Sequence, residues 1–165
     1  MGGRPQGEGG LKVRLLSVGR DKSGLFDPGV QEYAARLSHY TRFELLELKP
    51  AARKKASRVL SQEEEGRLIL DALRPGESLV ALDERGKLLG SQAFAEQVLG
   101  RAQNSSRDLA FVIGGDEGLA PTVKQRAELT LSLSPMTLPH RLARLVLAEQ
   151  LYRGFTILRG EPYHK

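Results

Sequence analysis

A chain of 165 residues has room for one domain with a buried core and not for a second of ordinary size. Its composition, 40% hydrophobic and 27% charged, is that of a globular protein, and no apolar run approaches the roughly 20 residues that span a bilayer. The lack of cysteine excludes disulfides, thiolate catalysis and cysteine-based metal sites together and fits a reducing cytoplasm, while the net charge of +5 leans toward a polyanionic partner such as nucleic acid.

Residues 1–10, MGGRPQGEGG, are rich in Gly and polar residues, carry no apolar stretch of the secretory type and read as a flexible extension. Residues 11–165 read as one domain. In it, short runs of Val, Leu, Ile and Phe alternate with longer helical patterns. A strand at Val13–Val18 precedes a helix at about Gln31–His39, and a strand at Phe43–Leu48 precedes a helix at about Arg53–Leu73. That second helix opens with a basic face, Arg53, Lys54, Lys55 and Arg58, partly offset by Glu63, Glu64 and Glu65. A strand at Leu79–Leu82 leads to a helix at Gln92–Gln103, and Leu109–Ile113 to Thr122–Glu128. A last strand, Leu129–Leu133, leads to the long helix Pro139–Leu158. Such alternation predicts an α/β fold, a mostly parallel sheet covered by helices on both faces. Leu79–Leu82 and Phe111–Ile113 are apolar without a break, as central strands buried on both sides are. The last helix has an unusually wide apolar stripe: Leu142, Leu145, Val146, Tyr152 and Phe155, broadened by Leu147 and Leu151. One side of it can pack on the sheet and the other on a second copy of the chain, which predicts a homodimer.

Open α/β sheets bind ligands at the carboxyl ends of their strands. Those ends fall at Leu82-Asp83-Glu84, at Gly114-Gly115 and after Leu133. The turn in FVIGGDEGLAP has the spacing of neither a P-loop nor a dinucleotide fingerprint. Asp116 and Glu117 would repel a phosphate, so a ligand without phosphates and with a positive charge suits it better. The alternative is a tight turn whose acids cap the next helix. Further on, Pro135 and Pro139 bracket Met136-Thr137-Leu138 and hold a rigid loop, whose free backbone groups and apolar side chains suit a purine. His140, Arg141 and Arg144 then open a helix whose dipole opposes cations, so either RNA phosphate or solvent favours them. In the tail, RGEPYHK, Tyr163 is suited to stack on a base, and His164 with Lys165 to meet phosphate or take a proton. A Tyr that covers an apolar patch is the alternative. His39, His140 and His164 lack metal-pair spacing, so no metal is expected.

FVIGGDEGL, LSLSPMTLPHRLARLVLAEQLYRGF and RGEPYHK together resemble the RlmH family of SPOUT methyltransferases, from Leu11 to Lys165. The resemblance implies an α/β domain with a deep trefoil knot in its C-terminal half, working as a homodimer. It implies a cytoplasmic enzyme that uses S-adenosylmethionine to methylate N3 of a pseudouridine in 23S ribosomal RNA, within the large subunit or the assembled ribosome. A noncatalytic RNA-binding protein of the same fold is the alternative; neither a membrane nor DNA is implied as a partner. The positions that match the donor loops are Leu82, Gly114, Gly115, Leu133, Ser134, Pro135, Met136, Thr137 and Leu138. Asp116 is not expected to be essential, because relatives vary there. Methylation of a weakly acidic N3–H needs a base, or a cation to stabilise the developing anion. The candidates are His164, Tyr163, Arg144 and His140. The tail helps to build the RNA site, so Arg141, Arg144, Arg153, Tyr163, His164 and Lys165 are expected to contact RNA.

Overall fold

Two helical layers need a sheet that is apolar on both faces, and the strands supply it by simple alternation. In the computed structural model, which describes residues 10–19, 23–49 and 58–165, β1 (Lys12–Val18) sends Val13 and Leu15 into one core and Leu16 and Val18 into another. β4 (Leu109–Ile113) is buried along its whole length and divides the same way, with Phe111 on the first side and Val112 on the second. β2 (Arg42–Leu48), β3 (Ser78–Leu88) and β5 (Leu129–Ser132) complete a five-stranded sheet. Its order is β2-β1-β4-β3-β5 and every pairing is parallel.

The first core is roofed by α1 (Asp27–Leu37), by the continuous run α3 (Ser91–Phe94), a π-helical turn (Ala95–Gly100) and α4 (Arg101–Ser105), and by α6 (His140–Leu158). α6 lies close because residue 154 is glycine: a Cβ there would stand 2.5 Å from Leu99 Cδ1. On the opposite face, α2 (Arg58–Ala72) and α5 (Pro121–Arg126) bury Ile69 and Val123 against Leu16, Leu79 and Val112. The expected fold class, a parallel sheet with helices on both faces, is what the chain adopts. The basic face at Arg53, Lys54, Lys55 and Arg58, and residues 1–9 of the expected extension, lie outside the described side chains.

Several boundaries differ from the sequence expectation for local reasons. α1 starts earlier, at Asp27, because Pro28 suits the first turn of a helix. The helix expected to reach Glu128 stops at Arg126, since the Glu128 N–H is drawn into the sheet and donates to the Leu79 carbonyl at 2.9 Å. β3 does not end at Leu82. It bulges, so that Leu82 and Lys87 both face Leu131, and resumes to Leu88. Gly86 makes the return possible, because a Cβ there would lie 2.7 Å from the Thr130 carbonyl. The wide stripe of α6 is split: Ala143, Leu147, Ala148 and Leu151 are buried, while Leu142, Leu145 and Val146 are only half-buried. Among the described residues, no helix is long and apolar enough to cross a membrane.

Candidate active site

β4 delivers its chain into a turn that glycine alone accommodates. A Cβ on Gly114 would meet the Gly118 carbonyl carbon at 2.9 Å and the Leu119 nitrogen at 3.0 Å. Gly118 itself has φ +75°, a conformation that side chains disfavour. The Gly118 N–H closes the turn on the Gly115 carbonyl at 3.0 Å. The helix does not follow at once: α5 begins at Pro121, capped at Ala120 without a side-chain bond. Asp116 and Glu117 therefore do not cap it. Asp116 lies 3.3 Å from His140 Nδ1, an ion pair whenever that ring is protonated. The Glu117 carbonyl accepts from Gln62 Nε2 at 2.9 Å, as does that of Leu119 at 3.3 Å.

The second wall is the proline-bracketed loop after β5. Ser132 Oγ donates to the Ser134 carbonyl at 2.9 Å, and the Met136 N–H donates to Ser134 Oγ at 3.0 Å, so the loop is shaped by its own hydroxyls. Pro139 sits at the cap, one residue before α6 begins at His140. The bulge of β3 supplies a third wall. Asp83 is paired with Lys124 at 2.6 Å, and Glu84 accepts from the Thr137 hydroxyl across the opening. Burial alone would raise the Asp83 pKa, but Lys124 and the Arg85 N–H outweigh it and hold this carboxyl below its ordinary range.

Together these walls enclose a cleft of about 900 Å³ at the carboxyl ends of β4, β3 and β5, three neighbouring strands. Leu82, Gly114, Gly115, Leu133, Ser134, Met136, Thr137 and Leu138 line it, and so do His140 and Arg141. Pro135 is exposed and outside the lining. Asp83 and Glu84, at the strand end expected to face a ligand, line it too, whereas sequence reasoning missed Gln62, Arg85 and Lys124, which reach the cleft from a helix, a bulge and a short helix that carry no motif.

Arg144 and the tail lie elsewhere. Arg144 is buried, and its guanidinium donates to Glu47 at 2.8 Å and to Asp27 at 3.1 Å. Its charge is thus matched inside the chain. Tyr163 packs edge-on against Tyr152, 4.7 Å between centroids, with the Arg153 guanidinium 4.8 Å over its ring. Its hydroxyl donates to Glu149 at 3.1 Å. Burial first, then bonds to Tyr33 and Glu149, push its pKa well above the ordinary value, so it is held as a phenol. His164 Nδ1 meets Arg153 at 3.0 Å, and Lys165 is exposed. Tyr40 braces the same corner by donating to Glu161 at 2.5 Å, which pushes its own pKa up to about 12. Arg153 is 13 residues along α6 from His140, about 20 Å at 1.5 Å per residue. Within one chain the tail and the cleft do not meet.

A parallel α/β protein with a glycine turn, a proline loop and a strand bulge closing on one cleft at its strand ends has the architecture of a small-molecule-dependent enzyme rather than of a phosphate-binding switch. Residues 11–164 match the family model described as "Predicted SPOUT methyltransferase"; the chain belongs to that family and is a methyltransferase. It is 57% identical over 155 residues to "Ribosomal RNA large subunit methyltransferase H" of Anaeromyxobacter dehalogenans (strain 2CP-C), covering 94% of this chain and 100% of the relative. A protein of the same name from Syntrophotalea carbinolica is 44% identical over 93% of this chain and 99% of its own. Among solved structures, the SpoU methyltransferase AviRb from Streptomyces viridochromogenes, in complex with AdoMet, gives a TM-score of 0.48 at 14% identity, over 96% of this chain and 61% of that one.

Proposed function

We propose that this protein uses S-adenosylmethionine to methylate N3 of a pseudouridine in 23S ribosomal RNA. The observation that carries the reading is the cleft itself. It has a glycine turn that leaves the backbone approachable and itself carries the acids Asp116 and Glu117, and apolar walls at Leu82, Leu133 and Leu138. That donor set fits an adenosyl group with a cationic sulfur and no phosphate. The relatives' shared name supplies the ribosomal substrate. When bound, the donor supplies a methyl group already activated on a sulfonium. The loop over 133–138 and the Gly114-Gly115 backbone hold and orient, and the bulge over Asp83–Arg85 excludes water. His140 and Arg141 line the cleft at the start of α6, where they can meet RNA phosphate or the developing imide anion. Residues 11–165 act as one domain in this reading, with 1–10 as an appendage, and the trefoil knot of the C-terminal half follows from family membership.

The separation of tail and cleft supports a homodimer in which one copy's tail completes the other's site. The half-buried Leu142, Leu145 and Val146 offer the apolar surface for it. Light scattering is expected to give twice the mass of one chain. Purified protein with labelled donor is expected to transfer label to ribosomes that lack the modification. Donor binding without transfer would point to another substrate, and salt-dependent RNA binding without donor binding would mean a noncatalytic protein.

Deleting Pro162–Lys165 is expected to leave the donor dissociation constant within about twofold, because none of these residues lines the cleft of its own chain. Methyl transfer is expected to fall by roughly 100-fold or more, the scale of a lost positioning or acid–base group. Single-turnover assays beside donor titrations check this, and an unchanged transfer rate would remove the tail from the site.

A further inference from the structure

Glu65 stands on the α2 side of the glycine turn and is not part of the cleft lining. A Cβ on Gly115 would lie 3.2 and 3.3 Å from its two carboxylate oxygens, so this group stands directly beside a residue that lines the cleft. Its Oε2 is out of contact with solvent and has no hydrogen-bond partner. Residues beside it on α2 hold the same segment: Gln62 bonds the carbonyls of Glu117 and Leu119, and Gly66 packs on Ala120, Thr122 and Val123. The other carboxylates at the cleft are differently placed. Asp83 is matched by Lys124, Glu84 is bonded to Thr137, and Asp116 is 90% exposed beside His140. Burial raises the Glu65 pKa and a bond from the Gly115 N–H only partly offsets it; the charges that act most on the group, Asp116, Glu117 and Glu64, are all of its own sign. A shielded carboxylate with an unmet oxygen is costly to fold, and a cation brought to the far side of the turn would offset that cost.

We propose that Glu65 sets the preference of the cleft for the positively charged methyl donor over its uncharged demethylated product, acting across the Gly115 backbone as a positioning residue. The inference rests on the donor reading above. S-adenosylmethionine and S-adenosylhomocysteine share their adenosine and amino-acid ends and differ by one methyl and one unit charge. Groups that read only the shared ends bind both alike, so release of product in exchange for donor needs a charge-sensitive element. A charge shielded from water acts over a given distance more strongly than one on the surface, and salt screens it less.

The test is calorimetric titration of both compounds into the unaltered protein and into Glu65→Gln and Glu65→Asp. The isosteric Glu65→Gln is expected to weaken donor binding about fivefold or more with little change for the product, whereas Glu65→Asp keeps the preference. Equal weakening of both compounds would reduce Glu65 to a brace for the turn, and no change in either would dismiss it; both results overturn the proposal. A second measurement needs no variant. The unaltered protein is expected to keep its preference in about 1 M salt, where exposed acids are screened; loss of the preference would assign it to Asp116 and Glu117 instead. Failure of the unaltered protein to bind either compound would sink the donor reading itself, a result distinct from binding without preference.

Discussion

Gly114→Val is expected to abolish measurable binding of S-adenosylmethionine in a protein that still melts in one transition. The new side chain would meet backbone, namely the Gly118 carbonyl carbon and the Leu119 nitrogen, and neither can rotate away. The turn would have to open, yet its far end is strapped to α2 through Gln62. Forcing atoms into such a space costs roughly 1–3 kcal/mol, and the cost falls on the cleft wall that faces the donor. That corresponds to about a 5- to 150-fold loss of affinity from strain alone, before any steric exclusion of the ligand is added. Gly115→Val is expected to be milder, because the atoms in its way are the carboxylate tip of Glu65, which can shift. The order of severity, Gly114 before Gly115, is what titration should return. Donor binding to Gly114→Val at unaltered affinity would put the donor site elsewhere on the molecule.

The same turn shows what a sequence can and cannot disclose. Leu109–Ile113 declares itself as a strand because burial on two faces demands apolar residues at every position, and that demand is local; Val13–Val18 does so nearly as well, with Arg14 and Ser17 as its two polar positions. The strand ends then locate the cleft by topology alone. Gln62 and Glu65 are different. They belong to an ordinary polar stretch of α2 more than 45 residues before the turn they hold, and only the packing of that helix on the sheet brings them there. DERG after Leu82 resembles a loop, because a bulge and a turn use the same residues. Arg144 misled in the opposite direction. A cation near the start of a helix looks free to meet RNA, but Asp27 and Glu47, about 100 residues earlier, close on it inside the fold. The composition of the tail singles it out, yet Tyr163 lies against Tyr152 and Arg153, about 20 Å along α6 from the cleft at 1.5 Å per residue. Pattern reveals periodic burial; it does not reveal which distant charge satisfies which. The knot entered through resemblance alone, since no periodicity encodes a chain path.

One such distant pair should dominate the stability of the fold. Glu77→Ala is expected to destabilise the protein by about 3–5 kcal/mol, the usual cost of leaving one partner of a buried ion pair uncompensated. Arg14 is a β1 residue on the α2 face of the sheet, and its side chain and that of Glu77 are each only 4% exposed. Arg14 Nε donates to Glu77 Oε2 at 2.9 Å, a second donor engages Oε1, and Nη2 also donates to the Ala72 carbonyl at the end of α2 at 2.8 Å. The Arg74 N–H completes the set on Glu77 at 2.7 Å. The pair thus ties the sheet, the end of α2 and the entry to β3 at one point. Burial would by itself raise the Glu77 pKa, but Arg14 and the Arg74 N–H outweigh it and hold the carboxyl below its ordinary value of 4.5. A carboxyl depressed on folding contributes stability that is present above pH 4.5 and is lost as pH falls through the folded value. Urea melts should therefore show the unaltered protein losing stability steeply below about pH 4.5, and Glu77→Gln losing less over the same interval. For a chain of this size the alanine variant should melt about 10 °C lower or more at neutral pH. Replacing both partners, Arg14→Met with Glu77→Leu, should recover much of the loss, because the penalty comes from the stranded charge and not from the missing attraction. A loss under about 1 kcal/mol for Glu77→Ala would mean that water reaches Arg14 in solution, and that the packing of α2 over the sheet is not closed there.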